Sequence, residues 1–430
     1  MTPRRAVLLA VLGLSIVLLA AVLMWEPGPR RPAGPNTGLK VIVLAVDGLD
    51  WFLLGEYAEA GRLPHINRIL RSAVTGEIEA DRPVVPHVGW TLVARGAPLE
   101  ERESDMVGME GAPRLFGVVP ELARLVNEQG GEAVAIGWPA AWPVAEGEPG
   151  IVAPYTPEAG FHAVSLAPAL FEAAPGQAGE IGLADEIDAA VRRNLETVRQ
   201  EFADDVHEGS CGDQSTDEAL NGVRWGYLAD RITLDVAGPV IAEREPDLSM
   251  VYLGGLDTAG HRFLAAAMPD YFEDLELEPG GCEDVVPDYY SFIDNATARL
   301  LRLADDGTIF ILMSAYGMHP SVDSPPATGG HGLGPPGVLL VRGPHLVGRG
   351  GESISATTTD LAPTVLAALG LSIPEGMTGR VVPEMLPKGV LEERPPSFAE
   401  GAWSPATSVD APPECSRMEM RKDERLSTLA

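Results

Sequence analysis

Residues Met250–His261 read MVYLGGLDTAGH, and the reading of this stretch decides the fold. Val251, Tyr252 and Leu253 form a β-branched and aromatic run of the kind found in buried strands, closed by Gly254 and Gly255. Asp257 and His261 stand just past that end, four residues apart. A helix starting near Asp257 puts both side chains on one face, within reach of one cation. Open parallel sheets bind their ligands at the carboxyl ends of strands, so the placement suits a metal site. Taken alone, the stretch equally allows Asp257 as a helix cap and His261 as a partly buried histidine, because aspartate is a preferred cap.

The remaining 418 of the 430 residues supply the context. A chain of this length holds one large α/β domain or two average ones, and its apolar share, 45%, is that of a globular protein. Acidic residues dominate, 62 Asp and Glu against 31 Lys and Arg, for a formal net charge of −31. That balance argues against nucleic acid or an anionic membrane surface as the main partner of the soluble part. It also means that a phosphate ligand needs local positive charge, which a metal ion supplies most simply.

Arg4 and Arg5 precede an uninterrupted apolar run from Ala6 to Trp25, twenty residues, long enough to cross a bilayer and long for a signal-peptide core. No clean small-x-small cleavage site follows, so the expectation is a signal anchor over residues 1–25 with the soluble domain outside the cytoplasm, periplasmic or extracellular. Arg30 and Arg31 on the other flank weaken the charge bias that sets this orientation. Residues 26–39, rich in Pro, Gly and Arg, read as a linker. Three cysteines fit an exported protein: Cys211 and Cys282 lie in polar, Gly-containing loops that an oxidising compartment could staple, and Cys415 is left over.

The soluble domain opens with Lys40–Val46 (KVIVLAV), a continuous apolar run typical of parallel strands, with Asp47-Gly48 at its carboxyl end. Helical patterning covers Trp51–Ala60 and Leu63–Ala73, and a strand Val74–Ala80 follows. Within RPVVPHVGWTLVARG (Arg82–Gly96) the end, Trp90–Arg95, reads as a short apolar helix. An amphipathic helix at Val119–Glu128 and a strand at Glu132–Gly137 come next. Residues 178–247 turn helical and read as an inserted layer. Pro269–Val286 reads as an exposed acidic loop and Tyr289–Ala304 as a helix. Strand Thr308–Ser314 runs into Ala315-Tyr316-Gly317, the loop Ser321–Gly334 carries His331, and strand Gly337–Arg342 follows. The Thr357–Asp360 stretch caps a helix at Leu361–Leu369, and from about 388 the chain dissolves into a Pro-, Ser- and charge-rich tail expected to be disordered. Strands alternating with helices predict one doubly wound, mostly parallel sheet.

In this order the motifs resemble the alkaline phosphatase superfamily, in its type I phosphodiesterase and nucleotide pyrophosphatase branch. The matching pieces are VIVLAVDGLDW (Val41–Trp51), LPHINRIL (Leu63–Leu70), WTLVARG (Trp90–Gly96), GWPAAWP (Gly137–Pro143), VYLGGLDTAGH (Val251–His261), FILMSAYGM (Phe310–Met318), GGHG (Gly329–Gly332) and TDLAPTVLAALGL (Thr359–Leu371). No single piece is specific, but eight fall in the right order. The resemblance spans about 40–387 and implies a three-layer α/β/α fold with a mostly parallel central sheet.

It also implies a chemistry. In that family two divalent metals, usually zinc, flank a Ser or Thr nucleophile that attacks phosphorus, the cations clamping the attacking and leaving oxygens. One site takes an Asp and a His four apart plus a His from a late loop, which fall on Asp257, His261 and His331. Two imidazoles and one carboxylate make a catalytic-type zinc set with a position left open. The second site takes an Asp from the first strand, here Asp47, and an Asp-His pair in a turn that here reads Ser314-Ala315-Tyr316-Gly317. Ala315 has no ligand atom and a neutral phenol such as Tyr316 is a poor one. The nucleophile position falls at Pro86, which can neither attack nor coordinate. Thr91, His87 and His319 are the nearest substitutes.

Loss of an activated nucleophile costs on the order of 10⁶ in turnover in a well-studied hydrolase. Two expectations therefore stand. One is a zinc-binding phosphodiesterase-like domain with weak or altered single-metal hydrolysis of a phosphoester, its partner a phosphorylated small molecule or envelope lipid or glycan. The other is a pseudoenzyme that binds an anionic or phosphorylated envelope ligand without turning it over. Membrane contact comes only through the N-terminal helix, and nucleic acid is no partner in either.

Overall fold

Strand β1 (Lys40–Val46) is buried from Val41 to Val46, and its side chains divide between two separate cores. Ile42, Leu44 and Val46 enter one; Val41, Val43 and Ala45 enter the other. A strand covered on both faces has no solvent side to favour polar residues, which is why it reads as a continuous apolar run. The computed structural model describes residues 34–80, 84, 86–98, 121–138, 151–152, 197, 200–207, 214–272, 282–324, 327–332, 334–346 and 353–399. The expected membrane span Ala6–Trp25 lies outside them. Among the described residues no helix is long and apolar enough to cross a membrane.

After β1 come α1 (Trp51–Glu59), α2 (Pro64–Leu70), β2 (Val74–Glu79), α3 (Pro86–Arg95), α4 (Glu121–Glu128), β3 (Ala133–Ile136), β4 (Ile151–Val152) and the long α5 (Gln214–Arg244). Then follow β5 (Leu248–Leu253), α6 (Gly255–Ala267), α7 (Val285–Leu301), β6 (Thr308–Met313), β7 (His319–Ser324), β8 (Ala327–Gly330), β9 (Gly337–Arg342), β10 (Ser353–Thr357), α8 (Leu361–Leu369), β11 (Ile373–Pro374), α9 (Val390–Glu393) and β12 (Phe398–Ala399). Eight strands form one sheet in the order β10-β2-β9-β6-β1-β5-β3-β4. Every pairing is parallel except those of β9, which runs antiparallel to both β2 and β6.

Helices cover both faces. Leu53 and Leu54 of α1, Ile66 of α2, Leu228 and Ile232 of α5, Leu256 and Phe263 of α6, and Ile293 of α7 pack with one core. Trp90 and Val93 of α3, Leu122 and Val126 of α4, and Val365 and Leu366 of α8 pack with the other. This is the three-layer α/β/α arrangement with a mostly parallel central sheet. The inserted helical stretch is represented by α5, which lies against β5 and α6 rather than apart from the domain; Leu183–Asp205 falls mostly outside the described residues.

Several expectations need correction. The loop Ser321–Gly334 contains a two-stranded antiparallel ribbon, β7 with β8, built from a Pro- and Gly-rich stretch whose composition reads as loop. The expected exposed loop Pro269–Val286 ends early, because Cys282, Val285 and Val286 are buried and α7 begins at Val285. Cys282 is disulfide-bonded; Cys211 and Cys415 lie outside the described residues. The helix expected over Trp90–Arg95 starts at Pro86, as suits a residue with no N–H to leave unpaired in a first turn. Finally, residues 388–399, assigned to the tail, carry α9 and β12, and β12 pairs with β11 through Ile373 and Pro374. Two-residue strands leave no periodic trace to read.

The stretch Thr357–Asp360, expected to cap α8, folds as a 3₁₀ turn (Thr358–Asp360) running into that helix, whose own N-cap residue Asp360 makes no side-chain bond to it. Thr357 and Asp360 exchange side-chain and backbone bonds as a capping box, and Asp360 also accepts from the Arg380 amide at 2.8 Å. At the carboxyl ends of the strands one turn decides how close the elements come. Gly48 sits at φ +75°, and a Cβ there would lie 2.6 Å from the Asp257 Cα. The left-handed conformation costs an L-residue about 1–2 kcal/mol and the overlap about 1–3 kcal/mol more. Gly48→Ala should therefore destabilise the fold by about 2–5 kcal/mol, read as a lower midpoint of denaturant unfolding. An unchanged midpoint would mean that β1 and α6 are not packed this tightly.

Candidate metal centre

The ends of β1, β5 and β6 lie side by side, Val46 opposite Leu253 and Ala45 opposite Met313. The chain leaving each of these strands delivers one part of the site. Beyond β5 the helix α6 begins with Gly254 at its N-cap position, without a side-chain cap. Asp257 is thus inside the first turn and is not the cap. His261 follows one turn on, at the i+4 position that shares its face. His331 arrives from the end of β8.

These three residues meet. His331 Nε2 is 2.7 Å from Asp257 Oδ1, and His261 Nε2 is 3.6 Å from Asp257 Oδ2. One ligand atom from each lies within 4.8 Å of the others, and among the described residues this is the one group of three or more His, Cys, Asp or Glu side chains so placed. The rings of His261 and His331 stand nearly perpendicular, 85° apart with centroids at 4.7 Å.

Whether the set fits a cation is decided by the far ring nitrogens. His261 Nδ1 is 2.7 Å from the Gly329 carbonyl oxygen, and His331 Nδ1 is 3.0 Å from that of Gly317. A carbonyl only accepts, so each Nδ1 carries its hydrogen and donates. Both Nε2 atoms are thereby turned towards Asp257 with their tautomer fixed, as metal-ligating histidines require. The 2.7 and 3.6 Å spacings bracket the roughly 3.3 Å expected between ligand atoms held at about 2.0–2.1 Å around one tetrahedral cation. The residues fit a divalent metal.

Charge in the cluster follows from burial and proximity. Burial pushes the Asp257 carboxyl up, but His261 and His331 outweigh it and hold it below the usual aspartate range. For His331 burial works against the charged form, yet the Asp257 carboxylate beside it raises the imidazole to about 9. A proton bridging Asp257 and His331 thus stands where a cation would bridge them.

Asp47 is close but differently engaged. It is buried, and its Oδ2 accepts a 2.5 Å hydrogen bond from the Tyr252 hydroxyl. Burial first, and the Asp257 charge second, push its carboxyl up to about 6, against the nearby His331 charge and the tyrosine hydroxyls. Tyr316 is also buried and lies in the field of Asp47. Neither Asp47 Oδ1 nor Tyr316 Oη makes a hydrogen bond of full geometry. Tyr252, Trp90 and Trp138 stack edge to face around this point, with centroids 5.3–6.3 Å apart, and Tyr316 leans on both Trp90 and His331. Among the described residues no second group of three or more His, Cys, Asp or Glu side chains forms around Asp47.

Of the expected substitutes, only His319 is shown to stand apart from the cluster. Pro86 and His87 lie in the first turn of α3, of which only the backbone is described there. That helix approaches the β6 turn so closely that a Cβ on Gly89 would lie 2.9 Å from Tyr316 Cε1. Thr91 is buried within α3. His319 opens β7, its Nδ1 bonded to the Pro320 carbonyl at 2.7 Å, outside the ligand group. Sequence reasoning missed Tyr252, whose hydroxyl is masked by a strand pattern that reads as pure core. It also missed Asp230 of α5, buried at 2% exposure, which looks like an ordinary helix charge beside Arg231.

A family model of type I phosphodiesterase / nucleotide pyrophosphatase matches residues 101–327, a span that includes Asp257 and His261 and leaves Asp47, Pro86 and His331 outside. Among solved structures the chain is similar to the phosphonate monoester hydrolase from Silicibacter pomeroyi, at 16% identity and TM-score 0.44, covering 85% of this chain and 78% of that one. It is also similar to the wild-type alkaline phosphatase PafA, at 12% identity and TM-score 0.49, covering 83% and 99%. A third is a phosphonoacetate hydrolase from Sinorhizobium meliloti, at 13% identity and TM-score 0.36, covering 69% and 60%. No curated protein sequence matches the chain.

The protonated bridge gives the site a pH signature. A metal must displace the His331 proton, which is held up to about 9, whereas Asp257 is already ionised. Zinc affinity should therefore rise by about tenfold per pH unit on the approach to about 9 and then level off, as the His331 proton ceases to be released on binding. Titration against a chelator at several pH values checks this; a flat profile would contradict it. Without metal the sign reverses: a group raised in the folded state stabilises fully below its unfolded value near 6.5, and that stability fades as pH climbs towards 9.

Proposed function

Since the chain belongs to the type I phosphodiesterase / nucleotide pyrophosphatase family of the alkaline phosphatase superfamily, we propose that it is a phosphoester-binding domain built around one divalent metal, with weak single-metal hydrolysis of a phosphodiester. The observation that carries this reading is the convergence of Asp257, His261 and His331 with both histidine tautomers fixed. Zinc is the metal favoured by two imidazoles and one carboxylate. Bound there, the cation supplies Lewis-acid charge for a phosphoryl oxygen.

The chain's own residues divide the remaining work. Asp257, His261 and His331 hold the metal, and the Gly329 and Gly317 carbonyls keep the two rings aimed. Asp47, engaged by Tyr252, contributes fixed negative charge beside the site and so disfavours an anionic ligand on that side. The buried aromatic wall of Trp90, Trp138, Tyr252 and Tyr316 keeps water from the place where the family's second metal would bind. With no hydroxyl at Pro86, the attacking group comes from solvent. The substrate is a phosphorylated small molecule or an envelope lipid or glycan. The soluble domain is held outside the cytoplasm by Ala6–Trp25.

A second reading, a ligand-binding pseudoenzyme, is favoured by the same aromatic wall, because it removes the charge compensation that phosphoryl transfer depends on. Turnover separates the two. The wild-type chain should hydrolyse an activated phosphodiester slowly, and Asp257→Ala or His331→Ala should lower that rate on the order of 10²-fold or more, at least the loss of one electrostatic stabiliser. Pro86→Thr alone should gain little. Combined with Ala315→Asp and Tyr316→His it should gain far more than the sum of the parts, as groups that act as a unit do. Zinc binding without any turnover would favour the pseudoenzyme, and robust turnover that survives Asp257→Ala would refute both readings.

A further inference from the structure

Asp230 lies on α5, in the inserted helical layer, and is buried at 2% exposure. Its carboxylate accepts three hydrogen bonds. Oδ1 takes the Gly254 amide at 2.9 Å; Oδ2 takes the Gly255 amide at 3.1 Å and the Tyr289 hydroxyl at 2.8 Å. Gly254 and Gly255 are the N-cap and first residue of α6, whose opening N–H groups have no partner within the helix. Because Gly254 has no side chain to cap with, a carboxylate from another helix does it, placed where the helix dipole favours negative charge.

The packing around this contact leaves little freedom. A Cβ on Gly226, one turn before Asp230 on α5, would lie 2.8 Å from the Gly255 Cα, and a Cβ on Gly255 would lie 1.7 Å from the Tyr289 hydroxyl oxygen. Helices α5 and α7 thus clamp the turn that ends two residues before Asp257. The clamp is electrostatically costly: burial, opposed by the three hydrogen bonds and joined by the Asp47 charge, pushes the Asp230 carboxyl up to about 7. A neutral cap such as Ser or Asn at position 254 would satisfy the helix start without burying a third carboxylate beside Asp47 and Asp257.

We infer that Asp230 is a positioning residue for the metal, holding the Gly254-Gly255 turn so that Asp257 meets both histidines. The inference rests on the metal reading proposed above and extends it by giving the inserted helix a task at the site. Asp294 provides an internal control. It too is buried, on α7, and caps another helix across space, accepting from the His65 and Ile66 amides of α2 at 3.1 and 2.6 Å, where no ligand of the metal is carried.

The test measures zinc affinity of the full chain by chelator competition, beside the unfolding midpoint without metal. Asp230→Ala should weaken zinc roughly 10–100-fold, the range for groups that orient a metal ligand. Tyr289→Phe, which keeps the carboxylate, should weaken it by a smaller factor of about 3–10, and Asp230→Asn should fall between the two. Asp294→Ala should lower the unfolding midpoint as much as Asp230→Ala does and leave zinc affinity within about twofold of wild type, since it orients no ligand. Should Asp230→Ala fail to fold, Tyr289→Phe against Asp294→Ala decides. Wild-type zinc affinity in Asp230→Ala or Tyr289→Phe, or an equal loss in Asp294→Ala, overturns the inference. Failure of the wild-type chain to bind zinc overturns the metal reading itself.

Discussion

The contact between His331 and Asp257, 2.7 Å across 74 residues of chain, is the interaction on which the site depends. It exists because β1, β5 and β6 end in register and because Gly48, in its left-handed turn, lets the chain after β1 touch the backbone of Asp257. The same contact is strained electrostatically. Two buried carboxylates, Asp47 and Asp257, lie near each other, and the histidines beside them offset their charge. A divalent cation relieves that imbalance better than a proton does, so the protein's own charge distribution favours metal.

What surrounds the contact bears on the proposal that the site works with one metal. A second cation needs further anionic or imidazole ligands next to Asp47, and the turn after β6 offers Ala315 and Tyr316 instead. The phenol ring does more than fail to coordinate. It packs on Trp90 and His331 and is met from the other side by α3 at Gly89, so the volume is filled by close-packed aromatic surface. Interiors at crystal-like density do not open for an ion without displacing side chains. On the single-metal proposal, the missing second site is therefore a matter of core packing as well as of ligand type.

Much of this was legible in the sequence, for a physical reason. Strands β1, β5 and β6 are buried on both faces and announce themselves as unbroken apolar runs, and their ends carry Asp47, Asp257 and Tyr316 where the chain must turn. The 3.6-residue period likewise placed Asp257 and His261 on one face. Other parts left no local trace. The reversed direction of β9 is set by its neighbours β2 and β6 rather than by its own residues. The β7–β8 ribbon is written in Pro and Gly, and the β11–β12 pairing rests on two residues a side. Asp230 and Tyr252 act across space, at |i−j| of 24 and 205, and nothing adjacent to them in the chain reveals their partners.

The central claim is that one cation, and only one, is held by Asp257, His261 and His331, while the space beside Asp47 is closed to a second. Anomalous X-ray diffraction at the zinc edge from crystals grown with excess zinc tests it most directly. A single strong peak is expected at the site, bonded to one carboxylate oxygen and the Nε2 atoms of both histidines, with Tyr252 still on Asp47. A second peak of comparable strength ligated by Asp47 would contradict it.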